Sequence, residues 1–140
     1  MAVHVLAVLA YKEGDRVSSA FLAGSVNTNP VVIRRLLLAL QRARLVETGK
    51  GAGSGSRLSR APGRIHLADV YRAVEVPEPF AKPSKKPNAA CPVGNCMRET
   101  LERIFASAQR ALEADLEKTT LANLIETVKA CAKSHQKCTG

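Results

Sequence analysis

The stretch Asn29-Pro30-Val31-Val32-Ile33-Arg34-Arg35-Leu36-Leu37-Leu38-Ala39-Leu40-Gln41-Arg42-Ala43 decides how this 140-residue chain folds. It carries its own start signal. An asparagine side chain can accept from a free N–H of the first turn, and proline at the first helical position gives up no hydrogen bond. Behind that start, Ile33, Leu36, Leu37 and Leu40 recur at i, i+3, i+4 and i+7, one apolar stripe at the helical period. Arg34, Arg35, Gln41 and Arg42 fall largely outside it. The expected helix is therefore apolar on one side and cationic on the other.

Upstream, Ser18 to Ala23 reads as a second, shorter helix, with Ala20, Phe21 and Leu22 as its apolar contacts. Gly24-Ser25-Val26-Asn27-Thr28 is the break between the two. Two short helices joined by a tight turn, the second basic, form a helix–turn–helix. Residues 1–12 are almost wholly apolar and read as a core helix ended by a turn at Gly14-Asp15. They carry neither a basic leader nor a cleavage site, which argues against a signal peptide. His4 is a tolerated helical residue there.

Downstream, Leu45-Val46-Glu47-Thr48 can form a strand and Arg57-Leu58-Ser59-Arg60 its partner. Between them Gly49 to Ser56 holds four glycines in eight positions. A strand, a glycine-rich tip and a return strand after a helix–turn–helix make a wing. Glycine there lets backbone N–H groups approach a phosphate with no Cβ in the way. The tip lacks the lysine–hydroxyl ending of a nucleotide-binding loop and does not run from a strand into a helix, so nucleotide binding is disfavoured.

After a turn at Ala61-Pro62-Gly63, Ile65 to Val74 reads as a short strand entering a helix whose apolar face is Leu67, Val70, Tyr71 and Val74, with His66 structural. Residues 76–90 are rich in proline, which forbids regular helix or inner strand. A long helix follows from about Cys96 to Leu116, capped by Asn95. Met97, Leu101, Ile104, Phe105, Ala108, Leu112 and Leu116 form its continuous apolar stripe. Such a helix either docks on its own head or pairs with a second copy. Thr119-Thr120 caps a last helix with Leu121, Leu124, Ile125 and Val128 on one side.

The expected fold is mainly α: a winged helix–turn–helix domain (1–75) with a two-stranded wing, a proline-rich linker with a cysteine segment (76–94), and a helical region (95–140) offering a long dimerisation helix. No apolar run is long enough to cross a membrane. Lys and Arg number 21 against 12 Asp and Glu, for a net charge of +9. The excess sits in residues 1–66, with ten basic and three acidic residues; the rest is nearly neutral. That asymmetry fits a module facing a polyanion. Paired carboxylates, a nucleophile elbow and a metal triad are all missing from the sequence, and the three histidines are scattered, so an enzyme is not expected.

Four cysteines remain: Cys91, Cys96, Cys131 and Cys138. The C-x4-C spacing of Cys91 and Cys96 fits no common zinc pattern. On this reading Cys96 sits in the first turn of the long helix, where the dipole and free N–H groups favour a thiolate, with Lys85, Lys86 and Arg98 close in sequence. The pair is a candidate redox or metal-binding sensor, or two ordinary cysteines at a turn. Cys131 follows Val128 by three residues and reads as a small buried hydrophobe. Cys138 lies in a tail expected to fray. A Cys131/His135 metal site is a weaker alternative.

Several of these segments together resemble one family. Ser25 to Leu36, the glycine-rich wing, Arg60-Ala61-Pro62 and Ile65 to Glu75 are similar to the bacterial Rrf2 winged-helix regulators that include IscR, NsrR and CymR. Asn29-Pro30-Val31-Val32 and Cys91-Pro92-Val93-Gly94 are most similar to the YwnA-like branch. The resemblance implies a homodimeric, sequence-specific DNA-binding transcription regulator, a repressor acting in the cytoplasm at the nucleoid, with Leu101, Ile104, Phe105, Ala108 and Leu112 at the dimer interface. It places Asn27, Thr28, Asn29, Val31, Arg34 and Arg35 at the major groove, and Lys50, Ser54, Ser56, Arg57 and Arg60 on the wing side. It implies an iron–sulfur cluster in members with three cysteines in the sensor segment. Here there are two, Cys91 and Cys96, with Glu99 near a fourth-ligand position, so no cofactor is assigned. An effector-independent winged helix that binds DNA or protein is the alternative.

Overall fold

A computed structural model describes residues 1–12, 14–51, 54–74 and 90–136. Helix α1 spans Ala2–Tyr11, α2 Ser19–Val26 and α3 Pro30–Arg42. Strands β1 (Val46–Thr48) and β2 (Ser56–Leu58) form the wing, and a 3-10 turn at Pro62–Arg64 leads into α4 (Leu67–Ala73). The long helix α5 spans Pro92–Leu116 and α6 spans Leu121–Gln136.

The local chemistry of the helix–turn–helix is explicit. Ser18 Oγ accepts from Phe21 N at 3.2 Å and starts α2. Asn27, in the left-handed region at φ +55°, ends it. Asparagine tolerates that conformation better than a branched residue. Gly24, Ser25 and Val26 are therefore helical, and the expected five-residue break shrinks to the turn at 27–29. Asn29 Oδ1 accepts from Val31 N at 2.8 Å, with Pro30 at the first helical position. Helix α3 ends when Arg44 turns left-handed at φ +57° and Leu45 N donates to Leu40 O at 2.9 Å. Leu40 and Leu45 are both wholly buried, the apolar contact that accompanies this kind of helix end.

Ile33, Leu37 and Leu40 of the α3 stripe are buried among Val5, Leu6, Leu9, Leu22, Val46, Ile65 and Val70. Each fully buried aliphatic side chain contributes about 1.5–3 kcal/mol. Leu36 is half-buried at the edge of the same cluster. Ala20 and Phe21 are corrections: both are exposed, so Leu22 is buried as expected but is joined by Ala23 in their place. With eight residues in all, so short a helix presents too few apolar positions for periodicity to choose among them.

The wing is a two-stranded antiparallel ladder pairing Val46 with Leu58, Glu47 with Arg57 and Thr48 with Ser56. Its base is held by a third segment, because Val17 and Ser56 exchange N–H···O bonds of 2.8 Å in both directions. Gly55 makes this approach possible. Its φ is +64°, and a Cβ there would lie 3.0 Å from the backbone of Arg16 and Val17. Gly55→Ala is expected to lower stability by at least about 1–2 kcal/mol, the cost of a left-handed L-residue alone. Gly14→Ala, at φ +98° but facing open space, is expected to lose less. Urea midpoints of the two variants check this.

The C-terminal elements join the head in two ways. Leu67 N donates to Thr119 O and Leu121 N to Ile65 O at 2.9 and 2.8 Å, and Leu121 is wholly buried in the core. Helix α6 lies along α1, with Leu124 and Ile125 against the cluster. Among the described residues no helix is long and apolar enough to cross a membrane. Cys131 corrects another expectation: it is exposed, because α6 rises clear of the core beyond Ile125. Most of the proline-rich linker, and Cys138, lie outside the described residues.

Candidate nucleic-acid interface

Asn27 at the turn, Asn29, Val31, Arg34 and Arg35 on or at the start of α3, and Lys50 at the wing tip are all exposed. Helix α3 supplies the centre and the wing one wall. Between them runs a groove of about 570 Å³ lined by Ser18, Ser19, Arg34, Gln41, Gly49 and Ser54, among others. Among the described residues, Arg34, Arg35, Arg42 and Lys50 make no ion pair, whereas Arg98 and Arg103 of α5 pair within their own helix, with Glu102 and Glu99, and Asp115 pairs with Lys118 just past its end. The cations of α3 and of the wing tip are thus left uncompensated on the helix–turn–helix and wing. A duplex backbone is attracted by such a cluster, and the groove is bounded by the elements that reach into base edges.

Four expected wing-side contacts fall differently. Ser56 is a correction: it is 1% exposed and its Oγ lies 3.0 Å from Thr48 Oγ1, so its side chain closes the ladder and is out of reach of a ligand. Arg57 is exposed but ion-paired with Glu47, which also meets Arg16 at 3.4 Å. Arg60 turns toward α4, 3.8 Å from Asp69. Ser54 is half-buried and donates to Gly51 O at 2.8 Å, bracing the tip. Thr28 is half-buried at the turn, its N–H donating to Ala23 O. The sequence sets Gln41 and Arg42 beside Arg34 and Arg35 outside the buried stripe, but neither they nor Leu38 were among the expected contacts. The helical period holds the signal, since Gln41 and Arg42 stand seven residues after Arg34 and Arg35.

A clasp joins the head to α5. Tyr71 Oη lies 3.3 Å from the Gln109 amide, Gln109 Nε2 donates to Glu113 Oε1 at 2.9 Å, and Arg72 Nε donates to Glu113 Oε2 at 2.9 Å. Arg72 also reaches Glu117 at 3.6 Å and Asp69 at 4.0 Å. The hydrogen bonds from Gln109 and then Arg72 hold the Glu113 carboxyl below its ordinary value, and Glu113 in turn raises Arg72. A carboxyl whose pKa is depressed on folding adds stability above its unfolded pKa, which is lost as pH falls through the folded one. The clasp is therefore expected to loosen on the acid side, below the ordinary carboxylate range. Glu113→Gln is expected to flatten that part of the stability–pH profile, measured by denaturant midpoints between neutral and acid pH.

The cysteine segment differs from expectation. Helix α5 starts four residues early, at Pro92, so Cys91 is its cap, with Sγ accepting from Gly94 N at 3.5 Å. Cys96 stands in the second turn, past the free N–H groups of the helix start. Both are exposed. His4 is exposed and its Nε2 lies 3.3 Å from Ser25 Oγ. His66 is structural, as expected: its Nδ1 lies 2.7 Å from Glu117 O, and its backbone N donates to Asp69 Oδ2.

A helix–turn–helix whose second helix is exposed and cationic, followed by a two-stranded wing, defines a winged-helix protein of the kind that reads nucleic acid. Known proteins carry the class further. The Rrf2 model, described as an iron-dependent transcriptional regulator, matches residues 1–127. YwnA of Bacillus subtilis (strain 168), named as an HTH-type transcriptional regulator, is 37% identical over 125 residues, covering 89% of this chain and 92% of its own. A crystal structure assigned to a DNA-binding protein matches with a TM-score of 0.71 at 37% identity, over 89% of this chain and 95% of the other. One assigned to a transcriptional regulator of Lactobacillus plantarum matches with a TM-score of 0.76 at 26% identity, over 99% and 95%. The global cysteine regulator CymR of Bacillus subtilis, at 24% identity and a TM-score of 0.60 over 90% and 91%, shares the fold. The chain belongs to the Rrf2 family; it is a winged-helix transcriptional regulator and not an enzyme.

The family's description names iron, and the donors present bear on it. An iron–sulfur cluster takes four protein ligands. The segment offers Cys91, engaged as a helix cap, and Cys96, while Glu99 is ion-paired with Arg103. Among the described residues no group of three or more His, Cys, Asp or Glu side chains is placed to hold a metal ion. Among the described residues of one chain, the donor set does not fit the cofactor.

Proposed function

We propose that this regulator binds specific duplex sequences as a homodimer in the cytoplasm and represses transcription by occupying them. The observation that carries the reading is the unpaired cationic face of α3 beside the wing groove. In this arrangement α3 enters the major groove, with Arg34 and Arg35 directed to base edges or phosphates. Lys50 follows the backbone at the wing. Dimerisation is supported by α5, whose Met97, Ile104 and Leu112 are exposed along one apolar stripe with Leu101, Phe105 and Ala108. Two heads then meet half-sites about 34–36 Å apart, one turn of the duplex, or a multiple of it.

Band shifts at two salt concentrations, with the upstream region of its own gene and with an unrelated duplex, test the reading. Specific binding is expected to survive salt that strips nonspecific binding; equal loss on both duplexes overturns it. Cys91 and Cys96 are the proposed thiol sensors, placed where α5 begins. Disulfide formation between them would release two electrons and two protons to an external oxidant such as a peroxide, and would tie the helix cap to the next turn. Oxidant is expected to change the affinity of the natural chain and leave that of Cys91→Ser/Cys96→Ser unchanged. An equal response in both removes these thiols from the mechanism.

A further inference from the structure

The outer side of α3 is not uniformly cationic. Arg34 lines the groove toward the wing, together with Leu38 and Gln41. Arg35 lines a separate hollow on the other side of the helix, together with Leu38, Ala39 and Arg42. Leu38 borders both, so it stands on the crest between them, and it is 55% exposed. Val31, seven residues earlier, lies about two turns up the same line and is 49% exposed. The crest of α3 is thus apolar, with a guanidinium on each flank.

Val31 is also held in place. Its N–H is fixed by the Asn29 cap, and a valine in a helix has one strongly preferred χ1. Its two methyls stand at the end of the recognition helix that reaches base edges. In the major groove a base edge offers a donor, an acceptor or, for thymine alone, a C5-methyl group. Valine set against a donor or acceptor would strip water from it and supply no partner. Against the methyl it buries apolar surface at no such cost.

We infer that Val31 is a specificity-determining residue that reads the C5-methyl of a thymine in each half-site, leaving Arg34 and Arg35 for guanine edges and phosphates. The inference rests on the DNA-binding reading above and adds the base chemistry to it. The test begins with duplexes selected by the full-length chain from a randomised pool. In the preferred duplex each thymine is replaced in turn by deoxyuridine, which pairs identically and lacks only the methyl. Removing one buried methyl is expected to weaken binding about four-fold at one position per half-site. Val31→Ala is expected to bind thymine and deoxyuridine alike at that position, and Val31→Thr, which keeps a methyl, to retain the difference. A preferred duplex indifferent to deoxyuridine everywhere, or a Val31→Ala chain that still discriminates, overturns the inference and leaves the proposed function standing. A pool that yields no preferred sequence overturns both.

Discussion

Arg34→Ala/Arg35→Ala is expected to weaken binding to the preferred duplex by roughly 30-fold to 10⁴-fold per half-site, from about 1–3 kcal/mol for each arginine removed. The fold should be untouched. Both side chains are exposed and neither makes an ion pair among the described residues, while the buried stripe of α3 is unchanged. The loss splits in a diagnostic way. An arginine on a base edge relaxes the preference at one position, whereas one on a phosphate weakens all sequences alike. Lys50→Ala belongs to the second kind and should mainly reduce the salt dependence. Fluorescence anisotropy on the preferred duplex and on a scrambled one, at several salt concentrations, separates the cases. Undiminished affinity in the double variant would place the nucleic acid on some other face.

Ile104→Glu/Leu112→Glu is expected to yield a monomer that keeps its fold and loses most of its operator affinity. The two side chains are 55% and 39% exposed in the single chain, so placing charges there costs the monomer little. Across a helix pair the same charges would be buried without partners, which associating surfaces do not tolerate. With one head per molecule the second half-site no longer binds as an intramolecular event, an advantage worth roughly 10²–10⁴-fold. Sedimentation gives the oligomeric state, and anisotropy on full and half operators gives the affinity. A variant that stays dimeric would move the interface off this stripe.

How much of this was legible beforehand depended on how local the signal was. Asn29-Pro30 and the Ile33/Leu36/Leu37/Leu40 stripe are written within a few residues of one another, and α3 forms as they dictate. The same cap-then-proline grammar is present in Cys91-Pro92, yet cysteine is an unusual cap. Asn95, the conventional capping residue, drew the start of α5 four positions too late, and with it Cys96 into the first turn. Ser56 was hidden for another reason. Its burial comes from the bonds with Val17, a distant segment, and a serine in a run of glycines carries no alternation that could announce an inward face. Arg57 and Arg60 looked like ligand contacts because their partners, Glu47 and Asp69, are brought to them only by the ladder and by the arrival of α4. The family likeness supplied what spacing could not, a choice of which exposed residues face the duplex and which side of the long helix is offered to a second copy.

The placement of Leu121 and α6 against α1 bears on how the polypeptide is made. A ribosome delivers α1 long before α6, so the apolar surface of α1 waits uncovered while the residues between them are made. The reading head can be completed only when α6 arrives against α1. A nascent chain halted before Leu121 would carry the helix–turn–helix and the wing, yet not the side chain that seals them, and quality control would meet it as an unfinished protein.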